Sequence, residues 1–263
     1  REDLVAYYDR RYSPNNAVLI VAGDFETSDM KKRIERDFGS VTRKTLPSVF
    51  IPSEPMQLAE RECHLYEDVQ ITRAGIGFQT PCLTHPDTPA LDALSMILGH
   101  GNSSMLSTHL REELKLVHAI DASNWTPGSV GVFYLALVCD PDKRDEAINE
   151  LHSYLGSLTV EDFSTERVDK AVRQLIVAEI NARKTVSGQA SKLGAAEVVI
   201  GDIGYAENYL RKISRVTPED LISVLKKWLR EERLTTITLN PKSAQVSDLK
   251  SGEEKQGETD FIE

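Results

Sequence analysis

The sequence predicts an α+β fold in which a mixed, largely antiparallel sheet is covered by helices on one face. Three observations predict it. Strand-like and helix-like stretches are interspersed over the first half of the chain. Two of the strands are joined through the turn residues Thr126-Pro127-Gly128, which makes that pair antiparallel. Helical periodicity then dominates, and its apolar stripes need a sheet face to cover. A chain of 263 residues, 40% of them apolar, is long enough to bury one large core or two small ones.

Residues 2 to 12 have helical spacing, and Tyr12-Ser13-Pro14-Asn15-Asn16 supplies turn chemistry before the apolar run Ala17 to Ala22. A run that is apolar at every position predicts a strand buried on both faces. Gly23-Asp24 ends it. Thr27 to Phe38 then reads as a short amphipathic helix closed by Gly39, a residue able to take a positive φ at a helix C-terminus. From 41 to 62, Pro47, Pro52 and Pro55 break any regular pattern and mark a linker.

From Tyr66 to Gln79 the apolar positions alternate, with Val69 and Ile71 in one phase and Ile76 and Phe78 in the other. This predicts one strand with a bulge near Gly75. Pro81 stops it, and Asp87 or Thr88 caps a helix whose apolar face is Leu91, Leu94 and Leu98. Gly99-His100-Gly101 ends that helix, and Ser103 or Ser104 opens the next, with Leu106, Leu110 and Leu114 on its inner face. Two strands follow at about 117–125 and 130–139, the second apolar on both faces and therefore interior.

Ile148, Leu151, Leu155 and Leu158 form one helical stripe, and Val168, Val172, Leu175 and Ala182 a longer one. Shorter helices are predicted at about 189–200 and 203–213. Thr217-Pro218-Glu219-Asp220 is a capping box with proline in the first turn of the helix that it opens. A last strand, Leu234 to Leu239, leads to Pro241, and the polar, acidic tail from 242 to 263 has too little apolar surface to order itself. Residues 2–24 and 219–241 align without a gap as helix, turn and strand, sharing an opening Glu-Asp-Leu, a weak internal echo.

Composition excludes several classes of function. The net charge is −10 with Lys and Arg scattered, so no basic face exists for a nucleic-acid backbone. No apolar run reaches the roughly 18 residues of a membrane span. The opening REDLVAYYDRRY is charged and periodic, unlike a signal peptide, and is expected to lie inside a longer, soluble protein. Cys63, Cys82 and Cys139 are an odd number without a C-x-x-C pair, which indicates free thiols. They leave the compartment open between a bacterial-type cytoplasm and periplasm.

The functional signal concentrates in Gly99 to His118, GHGNSSMLSTHLREELKLVH, a small-residue loop feeding a helix. His109 and Glu113 are spaced i, i+4, but no third ligand at zinc spacing accompanies them, and a solvated face is the better reading. The other histidines form neither H-E-x-x-H nor H-x-x-E-H, so no metal site is predicted in this chain. Ser103-Ser104 lacks a G-x-S-x-G context and reads as a helix cap. Gly99 and Gly101 read as a tight turn rather than an anion cradle, since no lysine completes that motif. Arg111 reads either as one half of a surface ion pair or as a guanidinium fork offered to a carbonyl or carboxylate of a bound peptide.

The order of these motifs resembles the pitrilysin/insulinase family of zinc peptidases, which includes mitochondrial processing peptidase. Residues 1–40 are similar to the end of that family's first domain, 41–62 to the linker, and 63–241 to its C-terminal domain. The tail, 242–263, would lead on toward a further pair of domains. The most specific match is Leu-Gly-x-Gly-x-Ser-Ser-x-Leu at Leu98 to Leu106, followed by Leu110-Arg111-Glu112. The resemblance implies two homologous α+β domains, a duplication of the processing-peptidase type, that clasp a peptide. Zinc and the catalytic residues would belong to the first domain, in an inverted H-x-x-E-H motif preceding Arg1.

This chain would then hold no catalytic residue and no cofactor. It would supply the substrate-binding wall through Arg111 and His118, with Gly99, Gly101, Asn102, Ser103 and Ser104 shaping the cleft. The family has Tyr where His118 stands, and imidazole is shorter than phenol. The implied partners are a peptide substrate, the N-terminal catalytic domain of the same parent chain, and a further domain pair or a second copy. A non-catalytic protein-interaction module from a degenerate member is the alternative reading.

Overall fold

The computed structural model describes residues 1–244. In chain order the helices are α1 (Glu2–Arg11), α2 (Thr27–Phe38), α3 (Thr88–Gly99), α4 (Arg144–Ser157), α5 (Thr165–Ala182), α6 (Val186–Ala195), α7 (Tyr205–Ile213) and α8 (Pro218–Trp228). The strands are β1 (Arg61–Glu67), β2 (Thr72–Thr80), β3 (Ala119–Trp125), β4 (Gly131–Cys139) and β5 (Leu234–Pro241). The chain divides into two compact units. One comprises Arg1–Glu54 with Ile176–Tyr209, and the other Pro55–Leu175 with the described residues from Leu210 onward.

The larger unit is built on a five-stranded sheet in the order β1-β5-β2-β4-β3. Only the β1–β5 pair is parallel; the other pairs are antiparallel. Alternate residues of each interior strand are buried: Ala74, Ile76 and Phe78 on β2, Phe133, Leu135 and Leu137 on β4. Leu91, Leu94 and Leu98 of α3 and Leu221, Val224 and Leu225 of α8 are buried as well, and these helices pack on each other and on the sheet. The opposite face leaves Tyr134 and Ile237 exposed, so the helices cover one face. Thr217 caps α8 through a reciprocal box with Asp220.

Several expectations are corrected. Ala17 to Ala22 forms no strand, and Val18, Leu19 and Val21 are exposed, because no ladder partner is supplied to them among the described residues. Gly39 has φ −62° and closes α2 by donating its N–H to the Glu35 carbonyl, so no left-handed cap is needed. The stretch from Tyr66 to Gln79 is not one bulged strand. The shift of phase falls in the break between β1 and β2, while Gly75 stays in register with Ala136 and Ile237. The expected tail is described only to residue 244, and the rest of it lies outside the described residues.

The smaller unit contains α1, α2 and α6. Within it Glu179 accepts from Lys192 at 2.6 Å and from Arg183 at 2.8 Å. Burial pushes the Glu179 carboxyl up, but these two cations outweigh it and hold it below the usual carboxylate range.

Candidate functional site

The small-residue loop follows directly from how α3 ends. Gly99, the last residue of α3, is buried, and a Cβ there would sit only 2.0 Å from the Ala122 backbone nitrogen of β3. A glycine is therefore what lets α3 lie against that edge strand. Gly101 has φ +82°, a left-handed conformation that a glycine adopts without steric cost, and it reverses the chain. Ser104 is buried, and its Oγ accepts the Ser107 N–H at 3.4 Å, which makes it the cap of the next helical segment.

That segment departs from the expected period. Ser107–Glu113 is wound as a π-helix, with the Leu114 N–H donating to the His109 carbonyl. Such winding places an extra residue in the turn, and local π turns recur at functional sites. Leu106 and Leu110 remain fully buried, but Leu114, predicted on the same face, is exposed. Lys115 follows at φ 55°, a strained conformation for a side-chain-bearing residue.

Arg111 lies within this turn. Its Nη1 donates to Asn102 Oδ1 at 3.2 Å, while Nε donates to Glu112 Oε1 at 2.8 Å and Nη2 lies 2.7 Å from the same oxygen. The arginine and the loop are thus joined into one unit. Glu112 is well exposed, and a pair of that kind stabilises little. Its effect is orientation: the guanidinium is held in one plane with an N–H left on each terminal nitrogen.

Beside the loop is a cavity of about 520 Å³. It is lined by Gly101, Ser103 and Ser104 of the loop, by Met96 and Ile97 of α3, and by Arg167, Lys170 and Arg173 of α5. Lys170 Nζ donates to Ser103 Oγ at 3.3 Å across it. Gly99, Asn102 and Arg111 are not among its lining residues.

His118 is placed elsewhere. Its Nε2 is 2.9 Å from Asp140 Oδ1, and this hydrogen bond holds the exposed Asp140 carboxyl below its usual range. The pairing arises across the strands: the His118 N–H donates to the Val138 carbonyl, at the end of the β3–β4 ladder. Among the described residues no hydrogen bond or ion pair joins His118 to Arg111 or to the loop. Asp140 was not foreseen, because a cross-strand partner has no mark in local sequence.

His109 is not on a solvated face. Its ring stacks on Tyr154 with centroids 4.2 Å apart, and its nitrogens meet Glu113 at 3.2 Å and Glu150 at 2.7 Å. Among the described residues no group of three or more His, Cys, Asp or Glu side chains is arranged to hold a metal ion. No helix of the described residues is long and apolar enough to cross a membrane.

The family described as "Peptidase M16 inactive domain" matches residues 1–175. The chain is 26% identical over 246 residues to the zinc protease PqqE of Helicobacter pylori, covering 91% of this chain and 55% of that protein. It is 25% identical to an uncharacterized zinc protease of Rickettsia felis, covering 86% and 54%. It therefore spans about half the length of the curated relatives it matches. Among solved structures, a protease from Helicobacter pylori superposes with a TM-score of 0.78 at 24% identity, covering 91% of this chain and 59% of that one. A peptidase M16 inactive domain from Pseudomonas fluorescens gives 0.70 at 18% identity, covering 83% and 52%.

Proposed function

The chain belongs to the peptidase M16 family, as a non-catalytic half of a metalloprotease-type protein, and from that premise we propose that it is the substrate-binding wall of a zinc-dependent endopeptidase. The substrates in this reading are peptides or unfolded polypeptides. Zinc and the water-activating residues belong to the other half of the parent protein, and no catalytic step is assigned to residues of this chain.

The observation that supports the reading is the held guanidinium of Arg111. It is fixed by Asn102 of the loop and by Glu112, and its free N–H groups suit a peptide carbonyl or a carboxylate. Such contacts raise turnover when they are stronger in the transition state than in the ground state. In the full-length parent, Arg111→Ala is expected to lower kcat/KM by about tenfold to a hundredfold, the size of one charged hydrogen bond. Its melting temperature should stay unchanged. A parallel loss of activity and stability would return Arg111 to a purely structural role.

Docking partners follow from the same reading. Residues 1–40 are proposed to complete the catalytic half of the parent, since α1 and residues 17–22 leave large apolar side chains uncovered. The alternative, a non-catalytic association module, is favoured by one observation. His118, the residue in place of the family's tyrosine, is engaged by Asp140. Sequencing the parent gene upstream of Arg1 separates the two: an intact H-x-x-E-H motif supports the peptidase, and its loss supports the module.

A further inference from the structure

We propose that the cavity between the Gly101–Ser104 loop and the first turns of α5 is a subsite for acidic side chains, so that this protein prefers polypeptide segments rich in Asp and Glu. The proposal rests on the substrate-binding reading above and adds a substrate class to it. Its basis is a local inversion of charge. The chain as a whole carries 41 acidic against 31 basic residues, yet Arg167, Lys170 and Arg173 line this cavity against the single carboxylate of Glu166.

The three cations are also unneutralised. Arg167 Nη1 donates to the Asp162 backbone carbonyl at 3.1 Å, and Lys170 Nζ donates to the Ser103 hydroxyl. Neutral acceptors of this kind fix the head groups without cancelling their charge. Among the described residues none of the three makes an ion pair, and Arg173 has no hydrogen bond. All three are exposed, so an incoming peptide can reach them, whereas Arg183 and Lys192 of the smaller unit are both taken by Glu179.

Their spacing decides what kind of anion fits. Positions i, i+3 and i+6 on α5 spread the charges over about 9 Å of helix axis, whereas a phosphate site converges its donors on one point. Separate carboxylates along an extended peptide, whose same-face side chains recur every ~6.6 Å, match a row. Met96, Ile97 and Ala171 supply apolar surface for the methylenes of those side chains. The volume of about 520 Å³ lies within the range of about 300–1,000 Å³ typical of ligand pockets.

The test is fluorescence anisotropy on the full chain with three labelled decapeptides of equal length: Glu/Asp-rich, its Gln/Asn counterpart, and a Lys-rich control. The acidic peptide is expected to bind at least tenfold more tightly than the neutral one at low salt, and the preference should shrink at high salt. The triple variant Arg167→Gln, Lys170→Gln, Arg173→Gln should lose the preference while keeping its affinity for the neutral peptide. Should the triple variant fold poorly by circular dichroism, Arg173→Glu, which removes no hydrogen bond, must lower the acidic preference several-fold. Equal affinity for acidic and neutral peptides, or a preference indifferent to these variants, overturns the subsite but leaves the substrate-binding reading standing. No binding of any peptide overturns both. Displacement by inorganic phosphate at concentrations where chloride of equal ionic strength has no effect overturns the acidic-peptide assignment in favour of a single-anion site.

Discussion

Residues 219–241 and residues 2–24 run helix, turn and apolar stretch in the same order, and they differ in what covers them. Leu221 is fully buried and Val224 is 3% exposed, while their counterparts Leu4 and Tyr7 are 75% and 56% exposed. The later copy places β5 between β1 and β2, paired on both edges. The earlier copy keeps its helix but leaves residues 17–22 without strand partners among the described residues. Helical hydrogen bonds close within the segment, so the α1 ladder is complete without a neighbour. A strand's bonds close only on a neighbour. Apolar patterning therefore marks what a segment is able to bury, and the presence of a partner decides whether it does.

The largest expected effect of that difference is at the buried copy. Leu221→Ala should cost about 2–5 kcal/mol in urea unfolding of the larger unit, the usual range for deleting a fully buried leucine side chain. A loss below 1 kcal/mol would mean that the α8 contact is looser than its burial indicates.

Next in size, Thr217→Ala should cost about 1 kcal/mol by removing the reciprocal box at the start of α8. α1 has no such side-chain cap, as Arg1 occupies that position. Placing Ser there by Arg1→Ser should raise helix content in residues 2–11 by circular dichroism if capping rather than burial limits that copy.

A smaller effect concerns pH at the far end of α8. Burial raises the Asp87 carboxyl, but hydrogen bonds from Lys227 at 2.6 Å and Trp228 at 2.8 Å outweigh it and leave its pKa below the usual value. A carboxyl depressed in the folded state stabilises above its unfolded pKa, and that contribution disappears as pH falls through the folded one. Wild type should therefore exceed Asp87→Asn in stability near pH 7, with the gap closing on acidification below the ordinary carboxylate range. A constant gap across pH would show that the ion pair contributes nothing.

The smallest effect is at the uncovered copy. Leu4→Ala should change the stability of this chain by no more than about 0.5 kcal/mol, as for most exposed positions. In the full-length parent the same substitution should cost several-fold more if residues 2–24 are covered there. An unchanged value would remove the docking role proposed for α1.

Much of the fold was legible from local pattern. The helix at Thr27–Phe38, the capping box at Thr217, the α3 stripe of Leu91, Leu94 and Leu98, and the hairpin through Thr126-Pro127-Gly128 all stand where periodicity and turn chemistry put them. The site was legible only in part. Arg111 and the loop were singled out by their residue types, and their part in a site is a proposal; Ser104 does cap its helix. The π winding that exposes Leu114 was hidden, since the sequence there keeps an ordinary i, i+4, i+8 stripe. Asp87 sits at the cap position of α3 yet makes no side-chain cap bond, its carboxylate being taken by Lys227 and Trp228.

By itself, then, the sequence determined the α+β class and the order of helices and turns, because each depends on interactions within a few residues. Only the tertiary structure decided which apolar runs became strands, that β1 lies parallel to β5, that His118 meets Asp140, and that three cations of α5 stand opposite the Gly101–Ser104 loop. Those outcomes depend on groups far apart in the chain, and their energies arise only when the intervening segments have already packed.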